Sequence, residues 1–265
     1  MQIEAENAGL KEPQTISRPI RFMSYNVHSC VGLDGRYDPG RIAETIGRAE
    51  ADIVGLQEAD VHWGSRSNME DSVQQLADRL GMYSFYAPIY ELPPLNAGEP
   101  ERKFGVALLS RFPIAFAANR LMSRLSTQER NPRPTLMPGL AETVIEVNGR
   151  RLTAIVVHLD YRQDPSVRKL QVGELLALLP EYPRETVVLG DFNARPDAPE
   201  LMPLFARLRD TWTDAHPGDP GLTFPAGEPD RKIDYILASP DIKTVSATIV
   251  QSPASDHWPI VADLA

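Results

Sequence analysis

The sequence is poor in cysteine. Among 265 residues there is one, Cys30, which excludes an intrachain disulfide and fits a reducing compartment. Long apolar runs are also missing, and none approaches the roughly 18–20 residues that a membrane span requires. The N-terminal stretch MQIEAENAGLKEPQTISRP holds no continuous apolar segment and reads as neither a signal nor a transit peptide. A cytoplasmic protein without membrane insertion is therefore the expectation. Basic charge is the third shortage. Lys and Arg number 27 against 36 Asp and Glu, a formal net charge of −9. That balance argues against broad neutralisation of a nucleic-acid backbone. It leaves room for an enzyme that handles one phosphate in a small pocket.

What is present is an ordinary globular composition, 42% hydrophobic and 24% charged, on a chain long enough for one large α/β domain. Residues 1–18 are polar, aperiodic and contain Pro13, and are expected to form a flexible tail ahead of a single domain at 19–265. IRFMSYN (20–26) reads as a strand, Asp38-Pro39 as a helix start, and DIVGLQE (52–58) as a buried strand. A second helix at about 69–80 stops at Gly81. Strands follow at 83–89, 104–110, 113–121, 141–147 and 151–159, the last two joined by the hairpin signal Asn148-Gly149. Asp164-Pro165 opens a helix to about 179, ETVVLGDFN (185–193) is strand then loop, and Asp197…Glu200 resembles a capping box. Strands at 233–238, 244–250 and 259–264 close the chain. The order predicts two sheets packed face to face with helices outside. Pro-rich stretches at 91–100, 131–138 and 217–229 read as surface loops.

Polar residues gather at the ends of these strands, where a layered α/β fold places its ligands. They are Asn26 with His28 nearby, Glu58 in LQE, His158 in IVVHLD, Asp191 and Asn193 in GDFN, Asp234 in KIDYIL, and Asp256-His257 in SDH. A buried carboxylate after an apolar strand is costly without a partner, so Glu58, Asp191 and Asp234 each need a cation or hydrogen-bond donors. Together the set reads as a metal-dependent hydrolytic site. Its hard oxygen donors favour Mg²⁺, with Mn²⁺ or Ca²⁺ as alternatives. Zinc is disfavoured by the single cysteine and the lack of closely spaced histidines. Arg133, in ERNPRP, is placed to reach a phosphate, and Trp63 to wall a pocket. His62 and His216 read as solvated, and Trp212 and Trp258 as core.

The run of YNVHSCVGLDGRYDP, ADIVGLQEAD, FGVALLSRFP, VVHLD, VVLGDFNA, KIDYIL and SDHWPIVADL resembles the endonuclease/exonuclease/phosphatase superfamily in content and order, over roughly residues 20–265. That superfamily includes deoxyribonuclease I, abasic endonucleases, inositol polyphosphate 5-phosphatases and neutral sphingomyelinases. The resemblance implies a four-layer α/β sandwich of two mixed, mainly antiparallel sheets. It implies Glu58, Asn26 and Asp256 as the metal set, Asp191 as the base that orients or deprotonates water, and Asn193 as donor to the phosphoryl oxygens. His158 and His257 would bind the scissile phosphate, with Asp234 orienting His257; Asn26 would also face substrate, and Arg133 joins the substrate set by its place in the loop alone.

The superfamily shares a reaction and not a substrate. The acidic balance and the LQE-Ala59-Asp60 sequence, unlike the LQET-Lys run of abasic endonucleases, point to a small or lipid-derived phosphate ester. A nuclease is the alternative, and a binding module that has lost turnover is the reading from outside enzymology.

Overall fold

The computed structural model describes residues 17–265, so most of the expected tail, 1–16, lies outside the described residues. Arg18 is tied down: its guanidinium meets the buried Asp52 carboxylate at 2.7 and 2.8 Å. The chain then runs β1 (Ile20–Asn26), α1 (Pro39–Arg48), β2 (Ile53–Val61), α2 (Ser72–Leu80), β3 (Tyr83–Leu92) and β4 (Arg102–Ser110). β5 (Ile114–Arg124), β6 (Thr135–Val147), β7 (Arg150–His158), α3 (Ser166–Leu178) and β8 (Thr186–Asp191) form the middle. α4 (Met202–Phe205), β9 (Arg209–Asp210), α5 (Thr211–Ala215), β10 (Asp234–Ala238), β11 (Thr244–Ile249) and β12 (Ile260–Leu264) complete it.

Two six-stranded sheets result, ordered β11-β12-β1-β2-β4-β3 and β5-β6-β7-β8-β10-β9. Each holds a single parallel pair at its centre, β1 with β2 and β7 with β8, and every other pairing is antiparallel. The expected four-layer sandwich is what forms. Its layers follow from the apolar strands. In β2, Ile53 faces the opposite sheet, while Val54 and Leu56 face α1 and α2. In β8, Val187 and Leu189 face the inter-sheet core and Val188 faces the α3 side. A strand buried on both faces needs apolar residues at successive positions, which is why DIVGL and TVVLG read as continuous runs.

The sheets come closest at Gly55. A Cβ there would lie 2.9 Å from Leu189 Cβ and 3.1 Å from Val156 Cγ2. Gly55→Val is therefore expected to force the two central pairs apart and to destabilise the protein by about 2 kcal/mol. A lower urea midpoint at unchanged m-value checks this, and an unaltered midpoint would show that the sheets tolerate the wedge.

Helix starts follow local chemistry. Asp38 and Asp71 accept from the backbone N–H of Arg41 and Gln74, capping α1 and α2. The second cap explains why α2 begins at Ser72 and not at 69. The Asn148-Gly149 turn takes φ of +53° and +76°, as a two-residue hairpin demands. Two local expectations fail. Asp197…Glu200 caps no helix, because the Glu200 carboxylate is buried and accepts from Arg168 Nε at 2.9 Å. The 131–138 stretch is only partly loop: β6 begins at Thr135, and its pairing with β5 slips between Arg120 and Met122, opposite Leu140 and Met137. That irregularity leaves room for Pro138, which has no N–H to give a ladder. No helix among the described residues is long and apolar enough to cross a membrane.

Candidate active site

Strand register assembles the cluster. At the ends of the central strands Asn26 stands opposite Gln57, His158 opposite Asp191, and Asp191 opposite Asp234. Because the two sheets face each other, both parallel pairs deliver their last residues to one rim. Asp191 thus has His158 on one neighbouring strand and Asp234 on the other, with Asn26 reaching over from the opposite sheet.

Asn26 is the bridge. Its Nδ2 donates to Glu58 Oε1 at 3.1 Å and to Asp191 Oδ2 at 3.0 Å, while its Oδ1 accepts from the His28 backbone. Glu58 lies where the β2–β4 register shifts between Leu56 and Ala59, with φ of +56°. A bulge of this kind re-aims a side chain, and left-handed backbone at a non-glycine residue is strain retained at functional positions. Asn193, at φ +49°, gives its N–H to Asp191 Oδ1 at 2.8 Å and its side-chain amide to the Leu159 carbonyl at 3.1 Å. One amide hydrogen of Asn193 stays available.

His257 completes the focus. Its Nδ1 lies 2.9 and 3.2 Å from the two Asp234 oxygens, and the Thr223 hydroxyl donates to the same carboxylate at 2.6 Å. A carboxylate can only accept, so Nδ1 carries the proton and Nε2 points toward Asp191 Oδ2, 3.8 Å away. His158 Nε2 approaches the same oxygen at 3.6 Å and Glu58 Oε1 at 4.0 Å. Asp256 is turned outward, one-third exposed, with its carboxylate 3.6 Å from His28 Nδ1 and 3.4 Å from the Ser255 hydroxyl.

The protonation states diverge. Burial and the neighbouring Asp234 charge push Asp191 above the usual aspartate range, against the opposing pull of His257 and His158. Burial raises Glu58 too, but the His158 imidazole, the Asn26 hydrogen bond and the other two imidazoles outweigh it and hold Glu58 low. Burial disfavours charge on His257, yet Asp234 above all, with Asp191 and Asp256, raises it to about 10. An imidazole whose folded value exceeds its unfolded value of about 6.5 stabilises the fold fully below that value. The contribution is lost as pH climbs through about 10. With EDTA present, the wild type is expected to lose more stability between pH 7 and 10 than His257→Asn does. Urea midpoints at both pH values measure the difference, and parallel losses would contradict the assignment.

The donor set also suits a cation. Among the described residues, none of Glu58, Asp191, Asp234 and Asp256 has a Lys or Arg within ion-pair distance. Four carboxylates offset only by imidazoles and an amide match a hard divalent ion. Asp191, Asp234 and His257 present ligand atoms within 4.8 Å of one another. Asp234 is already saturated by His257 and Thr223, whereas Glu58 and Asp256 are partly exposed and keep free lone pairs.

Other expectations fare unevenly. Arg133 is exposed ahead of β6, and its side chain makes no hydrogen bond or ion pair among the described residues. His62 and His216 are not simply solvated: His62 Nδ1 meets the Met69 carbonyl at 2.7 Å, and His216 Nε2 that of Ala247 at 2.8 Å. Trp212 is buried in the inter-sheet core, but Trp258 is only half-buried. Trp63 lines a cleft of about 320 Å³ that shares Glu58 and His158 with the cluster. Sequence reading missed Thr223, which orients Asp234, and Ser255, whose hydroxyl donates to the Asn26 carbonyl at 2.7 Å. It also missed the cleft residues Arg66, Tyr90, Phe104 and Arg124. Phe104 and Ser255 open the quoted runs FGVALLSRFP and SDHWPIVADL, but Thr223, Arg66, Tyr90 and Arg124 stand in none, and only folding brings them together.

Comparison with known proteins agrees with this architecture. The sequence model of the Endonuclease/Exonuclease/phosphatase family matches residues 23–257. The Escherichia coli protein YbhP is 28% identical over 264 residues, covering 95% of this chain and 98% of its own. Protein cwh43 of Schizosaccharomyces pombe is 31% identical over 150 residues, which is 57% of this chain but only 14% of that much longer protein. The crystal structure of an endonuclease/exonuclease/phosphatase from Beutenbergia cavernae superposes with a TM-score of 0.71 at 24% identity, covering 93% of this chain and 71% of that one.

Proposed function

The chain belongs to the Endonuclease/Exonuclease/phosphatase family of phosphoester hydrolases, and from that premise we propose that it hydrolyses a small or lipid-derived phosphate ester with a divalent metal ion. The observation that carries this reading is the Asp191 focus: a buried, proton-seeking carboxylate flanked by two imidazoles and bridged through Asn26 to Glu58.

Each residue then has a task. Asp191, raised in basicity by burial and by Asp234, takes the proton of the attacking water. The Asn193 N–H locks one Asp191 oxygen, so the other faces the incoming water. His257, held by Asp234 and carrying its proton, donates from Nε2 to a phosphoryl oxygen as charge builds there, and His158 does the same from the neighbouring strand. Asn193 supplies its remaining amide hydrogen to the same group. Glu58, Asn26 and Asp256 would hold the metal, proposed to be Mg²⁺ with Mn²⁺ or Ca²⁺ as substitutes. The ion supplies Lewis-acid stabilisation of phosphoryl charge when bound. Arg133 has no support from the geometry and is left out of this scheme. A single buried thiol, Cys30, fits the cytoplasmic location proposed with it.

A nuclease is the second reading, since the same cluster would cleave a nucleic-acid phosphodiester. A screen of bis-nitrophenyl phosphate, nitrophenyl phosphate, sphingomyelin, phosphoinositides and plasmid DNA, each with Mg²⁺ or Mn²⁺, separates the two. Turnover of a small or lipid ester is expected. Plasmid nicking as the sole activity would give the nuclease reading precedence, and no turnover of any substrate would return the chain to the non-catalytic alternative.

A further inference from the structure

The cleft beside the catalytic cluster carries a charge that its own residues do not cancel. One wall is aromatic: Trp63 packs 5.6 Å from Phe104 and 6.1 Å from Tyr90, centroid to centroid. Arg66 lies 5.4 Å from the Phe104 ring and is neutralised by two hydrogen bonds to Asp60, at 2.8 and 2.9 Å. Arg162, across the cleft, is paired with Asp160.

Arg124 is the exception. It lines the same cleft and is 7% exposed, yet among the described residues it has no carboxylate within ion-pair distance. Nη1 donates to the His158 carbonyl at 3.0 Å, Nη2 to the Gly139 carbonyl at 2.9 Å, and Nε has no acceptor at all. The groups acting on it through space are the Tyr90 phenol and the carboxylates of Asp160 and Glu174. Asp160 already serves Arg162, and Glu174 accepts from the Ser123 N–H and hydroxyl. A buried cation bonded only to carbonyls is an expensive arrangement. Burial accordingly pulls the guanidinium down to about 10. An arginine that lines a cleft with donors left unused is suited to receive an anion.

Resting on the phosphoesterase reading, we propose that this cleft takes the alcohol half of the ester, and that this half carries a ring, packed on Trp63 and Phe104, and a second anionic group, a carboxylate or a further phosphate, bound by Arg124. The cleft is then the specificity element, and Arg124 couples it to chemistry, because the same guanidinium fixes the backbone of His158.

The test compares 4-carboxyphenyl phosphate with 4-carbamoylphenyl phosphate, isosteres that differ in one charge. The wild type is expected to prefer the carboxylate at least tenfold in kcat/KM. Arg124→Met is expected to bring the ratio to within twofold, whatever happens to the absolute rates, and Arg124→Lys to keep part of the preference. Loss of the His158 strut alone would slow both substrates equally and leave the ratio intact, which would overturn the proposal. So would a wild type that does not distinguish them, or one that rejects both phenyl phosphates while hydrolysing other esters; in both cases the phosphoesterase reading survives. If no ester of any kind is hydrolysed, both fall together. Should neither variant fold, a crystal of the wild type with 4-(phosphonomethyl)benzoate decides. A carboxylate within hydrogen-bond distance of the Arg124 guanidinium supports the assignment, and one seated elsewhere refutes it.

Discussion

Asp191→Asn is expected to lower kcat by about 10⁴-fold at saturating Mg²⁺, the upper end of what a positioned general base contributes. The amide keeps the shape of the carboxylate and can still accept the Asn193 N–H, giving up only the hydrogen bond from Asn26, so a loss of this size reports the proton-accepting role. A second readout separates this from damage to the fold. Burial and Asp234 make the ionised Asp191 costly, so its folded-state proton affinity exceeds that of the unfolded chain. At neutral pH that mismatch subtracts from stability, and a neutral isostere relieves it. Asp191→Asn measured with EDTA should therefore melt no lower than the wild type while being nearly inactive. A kcat within tenfold of the wild type would remove Asp191 from the mechanism.

The second large effect is at His257. His257→Ala is expected to cost about 10³-fold in kcat, since in the proposed scheme it deletes a charged donor to the phosphoryl group inside a buried site. Asp234 acts through it, orienting the ring and favouring the charged form. Asp234→Asn should cost less, about 10²-fold, and the double variant Asp234→Asn/His257→Ala should be no slower than His257→Ala alone, because residues acting as a unit are not additive. Steady-state kinetics of the three proteins check this. Multiplying costs in the double variant would show that Asp234 touches the reaction independently.

Much of this architecture was legible from sequence because burial on both faces writes itself into composition. The central strands β1, β2, β7 and β8 appear as apolar runs ending abruptly in Asn, Glu, His and Asp, and a polar residue at such a place is costly unless it is used. The hairpin at Asn148-Gly149 and the Asp38 cap were equally visible, since turn and cap chemistry is local; the Asp71 cap was not read and moved the start of α2 to Ser72. What was not legible depends on distance. Glu200 looked like a local cap but is claimed by Arg168, 32 positions away. Thr223 supports Asp234 from a loop with no pattern of its own, and Arg124 ends a strand that runs three residues past the 121 read from sequence. Arg133, read as a phosphate contact, is exposed ahead of β6, with no hydrogen bond joining it to the cluster.

The low content of basic residues also takes on a definite sense. Four acids lie about one rim with no Lys or Arg paired to them among the described residues, so phosphate binding is expected to need a cation. The decisive measurement is hydrolysis of the best substrate from the ester screen after exhaustive treatment with EDTA, followed by titration with Mg²⁺. The account predicts loss of at least a thousandfold in rate and saturable recovery with Mg²⁺, with Glu58→Gln needing far more ion for the same recovery. Hydrolysis that continues undiminished in EDTA would contradict it.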